Sequence, residues 1–216
     1  GSEMCIRDSF KYKEHLGVVF DDLRVPDKLT LQYINKVFTE IYDAWNSDTF
    51  FSLIKAFDLP TNNQIKTFSR GMRMKAALTI ALSHDAKLLI LDEATAGMDV
   101  SGREHVLEIL EDYLGDDRAI LISSHISEDI EQLATQLVFM RDGRIILKES
   151  KEVLLSQYGI IDQPVEHFNI SNEYLIATRR RNDRQISLVN NYQKVPDAQP
   201  LKTIDDATKI IMRGEV

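Results

Sequence analysis

The chain has 216 residues, 44% of them hydrophobic, which suffices for one substantial core with an appendage. Its acids outnumber its bases, 34 to 26, for a net charge of −8, so a broad basic face for nucleic acid is excluded. No apolar run approaches the roughly twenty residues needed to cross a bilayer, and the single cysteine, Cys5, leaves no thiol to pair.

In chain order, residues 1–9 (GSEMCIRDS) have no apolar periodicity and read as a non-native leader or gene-assembly artefact. Glu14 to Phe20 forms the first strand, and the polar, proline-punctuated stretch Asp21–Asp27 forms a loop. Thr30 caps an amphipathic helix carrying Leu31, Ile34, Val37, Phe38 and Ile41 on one face. A second helix starts near Ser47-Asp48, carries Phe50, Phe51, Ile54 and Phe57, and ends before Pro60. Ser69-Arg70-Gly71-Met72 opens an alanine- and leucine-rich helix to Leu82, where a serine hydroxyl and free amides make an anion site.

The most telling run is Leu88-Leu89-Ile90-Leu91-Asp92-Glu93, a buried strand ending in two carboxylates. At the carboxyl end of a parallel strand, one acid can hold Mg²⁺ through water and the other can deprotonate an attacking water. Two adjacent like charges need a cation or donors to compensate them. Gly97-Met98-Asp99 follows, then the helix Ser101–Leu114, then the strand Ala119–Ser123 leading to His125, a donor suited to a phosphate oxygen. A helix over Glu128–Ala134, a strand Leu137–Met140, a hairpin turn at Arg141–Arg144, the strand Ile145–Leu147 and a helix Lys151–Tyr158 complete the main domain. Short strands Glu173–Thr178 and Gln185–Val189 and a terminal helix from Asp205 or Asp206 form a separate unit. Arg179, Arg180, Arg181 and Arg184 read as a solvated strand end.

Singly these motifs are weak, because a Ser-x-Gly before a helix is commonly an N-cap and a strand-end histidine commonly structural. In this order and spacing they resemble the nucleotide-binding domain of ABC transporters, over roughly residues 10–158. Ser69-Arg70-Gly71-Met72 is similar to the signature motif, Leu88–Glu93 to the Walker B strand, Gly97-Met98-Asp99 to the D-loop and His125 to the switch histidine. The resemblance implies an α/β fold, an incomplete RecA-like P-loop NTPase core (about 86–158) with an α-helical subdomain (about 27–85) and a small C-terminal α+β extension (159–216). It implies ATP and Mg²⁺ as cofactors, Asp92 on the metal, and Glu93 and His125 in catalysis. Ser69, Arg70, Gly71, Met72, Asp99 and the Q-loop residue Asp21 would face nucleotide. The implied partners are an integral-membrane permease and a second ATPase protomer, homo- or heterodimeric, with no nucleic acid. The implied place is cytoplasmic, peripheral on the inner face of the cell membrane.

Departures from the family pattern are specific. No G-x-x-x-x-G-K-[ST] occurs, nor any Gly-Lys dipeptide, so the amide cradle and lysine for the β- and γ-phosphates are absent from the sequence. The expectation is the C-terminal three-quarters of an ABC ATPase cut at its 5′ end, without autonomous ATPase activity, although the intact parent hydrolyses ATP. Asp21 stands for the usual glutamine, Arg70 for the first signature glycine and Met72 for the signature glutamine. Ser-(Lys/Arg)-Gly-Met variants resemble the bacterial ABC-2-type exporters of peptides and drugs. The alternatives are a soluble ABC-type ATPase, which usually shows paired cassettes with basic linkers or a long coiled coil, and a non-hydrolytic dimerisation or regulatory module.

Overall fold

The computed structural model describes residues 14–215. The residues read as a leader, with Cys5, lie outside the described part. The chain divides into two compact units, Gly1–Ile126 and Ser127–Val216.

The first unit holds a three-stranded parallel sheet in the order β1 (Leu16–Val19), β2 (Leu88–Asp92), β3 (Ala119–Ser123). Leu16 pairs with Leu88, Leu88 with Ala119, and Asp92 with Ser123. Strand alternation sends Val19, Leu89 and Leu91 to a buried face. Val18, Ile90 and Leu121 share the other face through the register, and there Val18 is 43% and Leu121 61% exposed. Gly17 is required by close approach: a Cβ there would lie 2.4 Å from Leu89 Cδ2 and 3.0 Å from the Ala81 carbonyl.

The helices of this unit are α1 (Leu31–Ile41), α2 (Ser47–Ala56), α3 (Arg70–Leu82) and α4 (Val100–Tyr113). Thr30 Oγ1 accepts from the Tyr33 amide (3.2 Å) and Asn46 Oδ1 from the Thr49 amide (2.9 Å), so α1 and α2 begin at side-chain caps. Leu31 and Ile34 of α1, and Phe50 and Ile54 of α2, fall at helical spacing and are buried. Phe38, Tyr42, Trp45 and Phe50 form a continuous aromatic cluster, with Phe38–Trp45 centroids at 5.3 Å and Trp45–Phe50 at 5.2 Å. The indole N–H of Trp45 donates to Asn35 Oδ1 at 2.8 Å. His84 ties this layer to the sheet. Its ring stacks on Tyr42 at 4.4 Å, and its Nε2 lies 3.1 Å from the Leu16 carbonyl of β1.

The second unit opens with α5 (Ser127–Leu133) and the antiparallel hairpin β4 (Gln136–Arg141) and β5 (Arg144–Ser150). The hairpin turns on Asp142 (φ 51) and Gly143 (φ 73), the paired left-handed conformations of a tight type I′ turn. After α6 (Lys151–Gln157) comes a four-stranded antiparallel sheet, β7 (Leu175–Arg181), β8 (Arg184–Val189), β6 (Gly159–Pro164) and β9 (Gln199–Pro200) in spatial order. Arg180, Arg181 and Arg184 are exposed about the β7–β8 turn, and Arg184 Nε donates to Asp162 Oδ1 at 2.7 Å.

Helix α7 (Ile204–Arg213) is anchored at both ends. Glu131 Oε1 accepts from the Ile204 amide (2.8 Å) at its start, and Arg141 donates to the Ile211 carbonyl (2.6 Å) and the Gly214 carbonyl at its end. Ala207, Ile210 and Ile211 enter one core with Leu137, Phe139, Leu154, Tyr158 and Leu188. The expected separation of residues 159–216 from the preceding hairpin and helix therefore does not hold as a packing boundary. The boundary between compact units lies at 126/127, because α7 shares its core with β4 and α6.

Candidate nucleotide site

The site is built at the carboxyl end of the parallel sheet, the end at which open α/β sheets bind ligands. Strand β2 delivers Asp92 opposite Ser123 of β3. The Ser123 hydroxyl donates to Asp92 Oδ1 at 2.7 Å, and the Glu93 amide donates to the Ser123 carbonyl at 3.1 Å. Glu93 then leaves the strand in a left-handed conformation, φ 53, which costs a non-glycine residue roughly 1–3 kcal/mol. That turn aims its carboxylate sideways. Its Oε2 lies 2.5 Å from Nδ1 of His125, a residue two positions past the end of β3.

A hydrogen bond joins these two atoms, with the ring's role set by its tautomer. His125 is 71% exposed along its side chain and Glu93 31%. The carboxylate is thus oriented, partly shielded, and open to a reactant on one side. Asp92 keeps its second oxygen available at an exposed strand end. This donor set fits a water-shelled Mg²⁺ ion: one carboxylate with a supporting hydroxyl, beside a second acid held by a nitrogen donor. For the phosphates of ATP the fit covers only the side these residues face, since the sequence holds no amide cradle or loop lysine.

The signature and D-loop residues form a second group. Ser69 caps α3, its Oγ accepting from the Met72 amide at 3.2 Å, which leaves the hydroxyl hydrogen for an outside acceptor. Ser69, Arg70, Gly71, Met72 and Lys75 line a hollow of about 190 Å³ with Gly97, Met98 and Asp99. Gly97 has φ +80, and a Cβ on it would sit 2.9 Å from Cδ of Arg70. The substituted signature residue therefore lies along the D-loop backbone, in the space that glycine leaves. Asp99 precedes α4, its carbonyl accepting from the Arg103 amide at 3.0 Å. Two cations, one carboxylate and a helix N-terminus make the hollow net positive, as an anion site requires.

Asp21 lies two positions past β1, and its hydrogen bond among the described residues is to Arg24 at 3.5 Å. It joins neither group directly. Three contributing residues were not singled out by sequence. Ser123 supports Asp92, Lys75 lines the hollow, and Arg73 grips the loop after β1. Register between two strand ends would have suggested Ser123. Lys75 sits six positions after Ser69 and shares its end of α3.

Arg73 donates from Nε and Nη2 to the two oxygens of Asp22 (2.7 and 3.2 Å) and from Nη1 to Asp27 (2.9 Å). The bond to the guanidinium holds the Asp22 carboxyl below its usual range, and the two aspartates push the arginine still higher. The sign follows from the lowered carboxyl. The attachment is complete above the ordinary carboxylate pKa and is lost only as pH falls through the depressed folded-state value. In an NMR titration of the Asp22 side-chain carboxyl, the midpoint is expected to rise toward the ordinary value in Arg73→Met. Equal midpoints would show that Arg73 does not set it.

Residues 2–96 match the family model described as ABC transporter, beginning inside the stretch read as a leader. The lantibiotic transport ATP-binding protein SrtF of Streptococcus pyogenes is 37% identical over 54% of this chain and 47% of its own length. The chain thus spans about half the length of that relative. A solved ATP-binding subunit of an ABC transporter superposes with a TM-score of 0.62 at 21% identity, covering 69% of this chain and 64% of that one. A dimeric ATP-binding cassette bound to ADP and phosphate superposes with a TM-score of 0.56 at 17% identity, over 63% of this chain and 62% of that one. The sequence match over residues 2–96 and the shared fold make the chain similar to the ATP-binding subunits of ABC transporters.

Proposed function

We propose that these residues are the Walker B, switch and signature part of an ATP-hydrolysing subunit that drives export of a peptide or drug-like substrate through a separate membrane permease. The observation that carries the reading is the convergence of Asp92, Glu93, Ser123 and His125 at one strand end. ATP with Mg²⁺, when bound, supplies the phosphoanhydride and the charge neutralisation of its oxygens.

The chain's own residues do the rest. Glu93, oriented by His125, accepts the proton of the attacking water. His125 would offer its other ring nitrogen to the phosphoryl oxygens, and Asp92 would hold the metal's water shell. Ser69 and the amides at the start of α3 offer hydrogen bonds to the terminal phosphate of a nucleotide held by a second protomer. Pairing of this kind is supported by the dimeric cassette that shares the fold. Service to a transporter is supported by the name of the streptococcal relative, a lantibiotic transport ATP-binding protein, and the export branch by the resemblance of Ser69-Arg70-Gly71-Met72. No helix among the described residues is long and apolar enough to cross a membrane, and the reading gives that task to the permease. It places the subunit at the cytoplasmic face.

The test compares two forms. The 216-residue chain is expected to release no phosphate from ATP above the blank. The same chain preceded by a phosphate-loop segment grafted from the streptococcal relative is expected to turn over. Glu93-dependent hydrolysis by the 216-residue chain overturns the first expectation. A silent but folded, nucleotide-binding loop-bearing form overturns the reading itself.

A further inference from the structure

Arg73 lies one helical turn beyond Ser69, and it holds two things at once. Its backbone amide donates to the Ser69 carbonyl at 2.9 Å. Its guanidinium, only 18% exposed, binds both oxygens of Asp22, one of Asp27, the Leu23 carbonyl (3.4 Å) and the Ile65 carbonyl (3.5 Å). The five N–H bonds of the fork are thereby engaged by two separate segments, the loop after β1 and the turn before the signature, while α3 carries the side chain. Leu23, 5% exposed, is the apolar anchor of the same loop, and its amide returns to Asp22 Oδ1 at 2.7 Å.

We propose that Arg73 is a positioning residue that locks the loop Asp21–Asp27 to the signature turn Ser69–Met72, so that the two move as one body. The idea rests on the proposed ATPase reading for its purpose, since Asp21 and Ser69 are the residues that reading sets against nucleotide. Its physical content is independent of it. A planar guanidinium shared by two carboxylates fixes direction as well as distance, which a lysine ammonium does not. Removing it leaves two neighbouring carboxylates to repel each other and frees the loop from the helix. A displacement of the loop by any docked partner would then no longer reach Ser69.

Amide hydrogen exchange on the full 216-residue chain, without nucleotide, tests this. Arg73→Met is expected to speed exchange about tenfold in residues 21–29 and 70–73, with α2 and β6–β8 unchanged. The pair Asp22→Asn with Asp27→Asn is expected to do the same at the same amides. The triple variant is expected to add nothing further, because all three changes remove one interaction. Arg73→Lys is expected to recover only part of the protection. Unchanged exchange in the single variant, additive effects in the triple, or loosening that spreads through α2 would each overturn the lock. Those outcomes leave the ATPase reading standing. A silent loop-bearing form sinks the ATPase reading and leaves the exchange result untouched.

Discussion

Replacing Glu93 by glutamine in the loop-bearing form is expected to lower ATP turnover by about 10²- to 10⁴-fold, the range that loss of a positioned general base commonly costs. The substitution keeps shape and removes the proton acceptor. It also replaces the carboxylate partner of His125, now 2.5 Å away, by a neutral amide oxygen. Nucleotide affinity is expected to change little, since Asp92 and its bond from Ser123 are untouched. Paired measurements of phosphate release and of nucleotide binding separate these terms. Turnover that survives within about threefold would move the base elsewhere. His125→Ala serves as the companion variant. If His125 acts on Glu93, combining the two changes will cost about as much as Glu93→Gln alone.

The second large effect concerns stability. Phe50→Ala is expected to destabilise the first unit by about 3–5 kcal/mol, the usual cost of emptying a buried phenyl site. Phe50 is fully buried, packs on Trp45 at 5.2 Å and meets Phe51 edge-on at 5.5 Å. Its removal therefore strips one wall from the aromatic cluster as well as leaving a void. Against a typical total of about 5–15 kcal/mol, such a loss brings the unit close to its folding midpoint at room temperature. Trp45 is the sole tryptophan, so its fluorescence in a urea titration reports this unit alone. The midpoint should fall with the slope unchanged. A loss below about 1 kcal/mol would mean that Phe50 is not the core residue its burial makes it.

Much of this architecture was legible because it is written locally. The apolar run ending in Asp92-Glu93 announces a strand and a strand-end acid pair, and Asp142-Gly143 announces a tight hairpin. Thr30 and Ser69 announce helix starts, and each hydroxyl does accept from an amide three residues on, whereas the last helix begins at Ile204 behind a Thr203 cap, just ahead of the expected Asp205 or Asp206. What escaped notice joins distant positions. Arg73 finds Asp22 51 residues away and Asp27 46 residues away, and no periodicity in either segment points to the other. Ser123 reaches Asp92 only through the register of two strands 31 residues apart. The shared core of α7 with the β4–β5 hairpin is of the same kind. Composition distinguished a C-terminal piece, but which helix roofs which sheet depends on contacts that the linear pattern does not encode. Asp21 was placed by analogy with the family and meets Arg24 instead of the strand-end or signature residues.

The half-open sheet of the first unit has a practical consequence. Val18 and Leu121 stand on one apolar side of a parallel layer, a class of sheet that proteins ordinarily cover on both sides. Water meets greasy pleats there, and molecules can relieve that contact by sticking to each other. A net charge of −8 provides mutual repulsion at low ionic strength. Added salt screens that repulsion while leaving the pleats as they are. Dilute, low-salt buffers thus favour dispersed chains, and crowded or salty ones favour clumping.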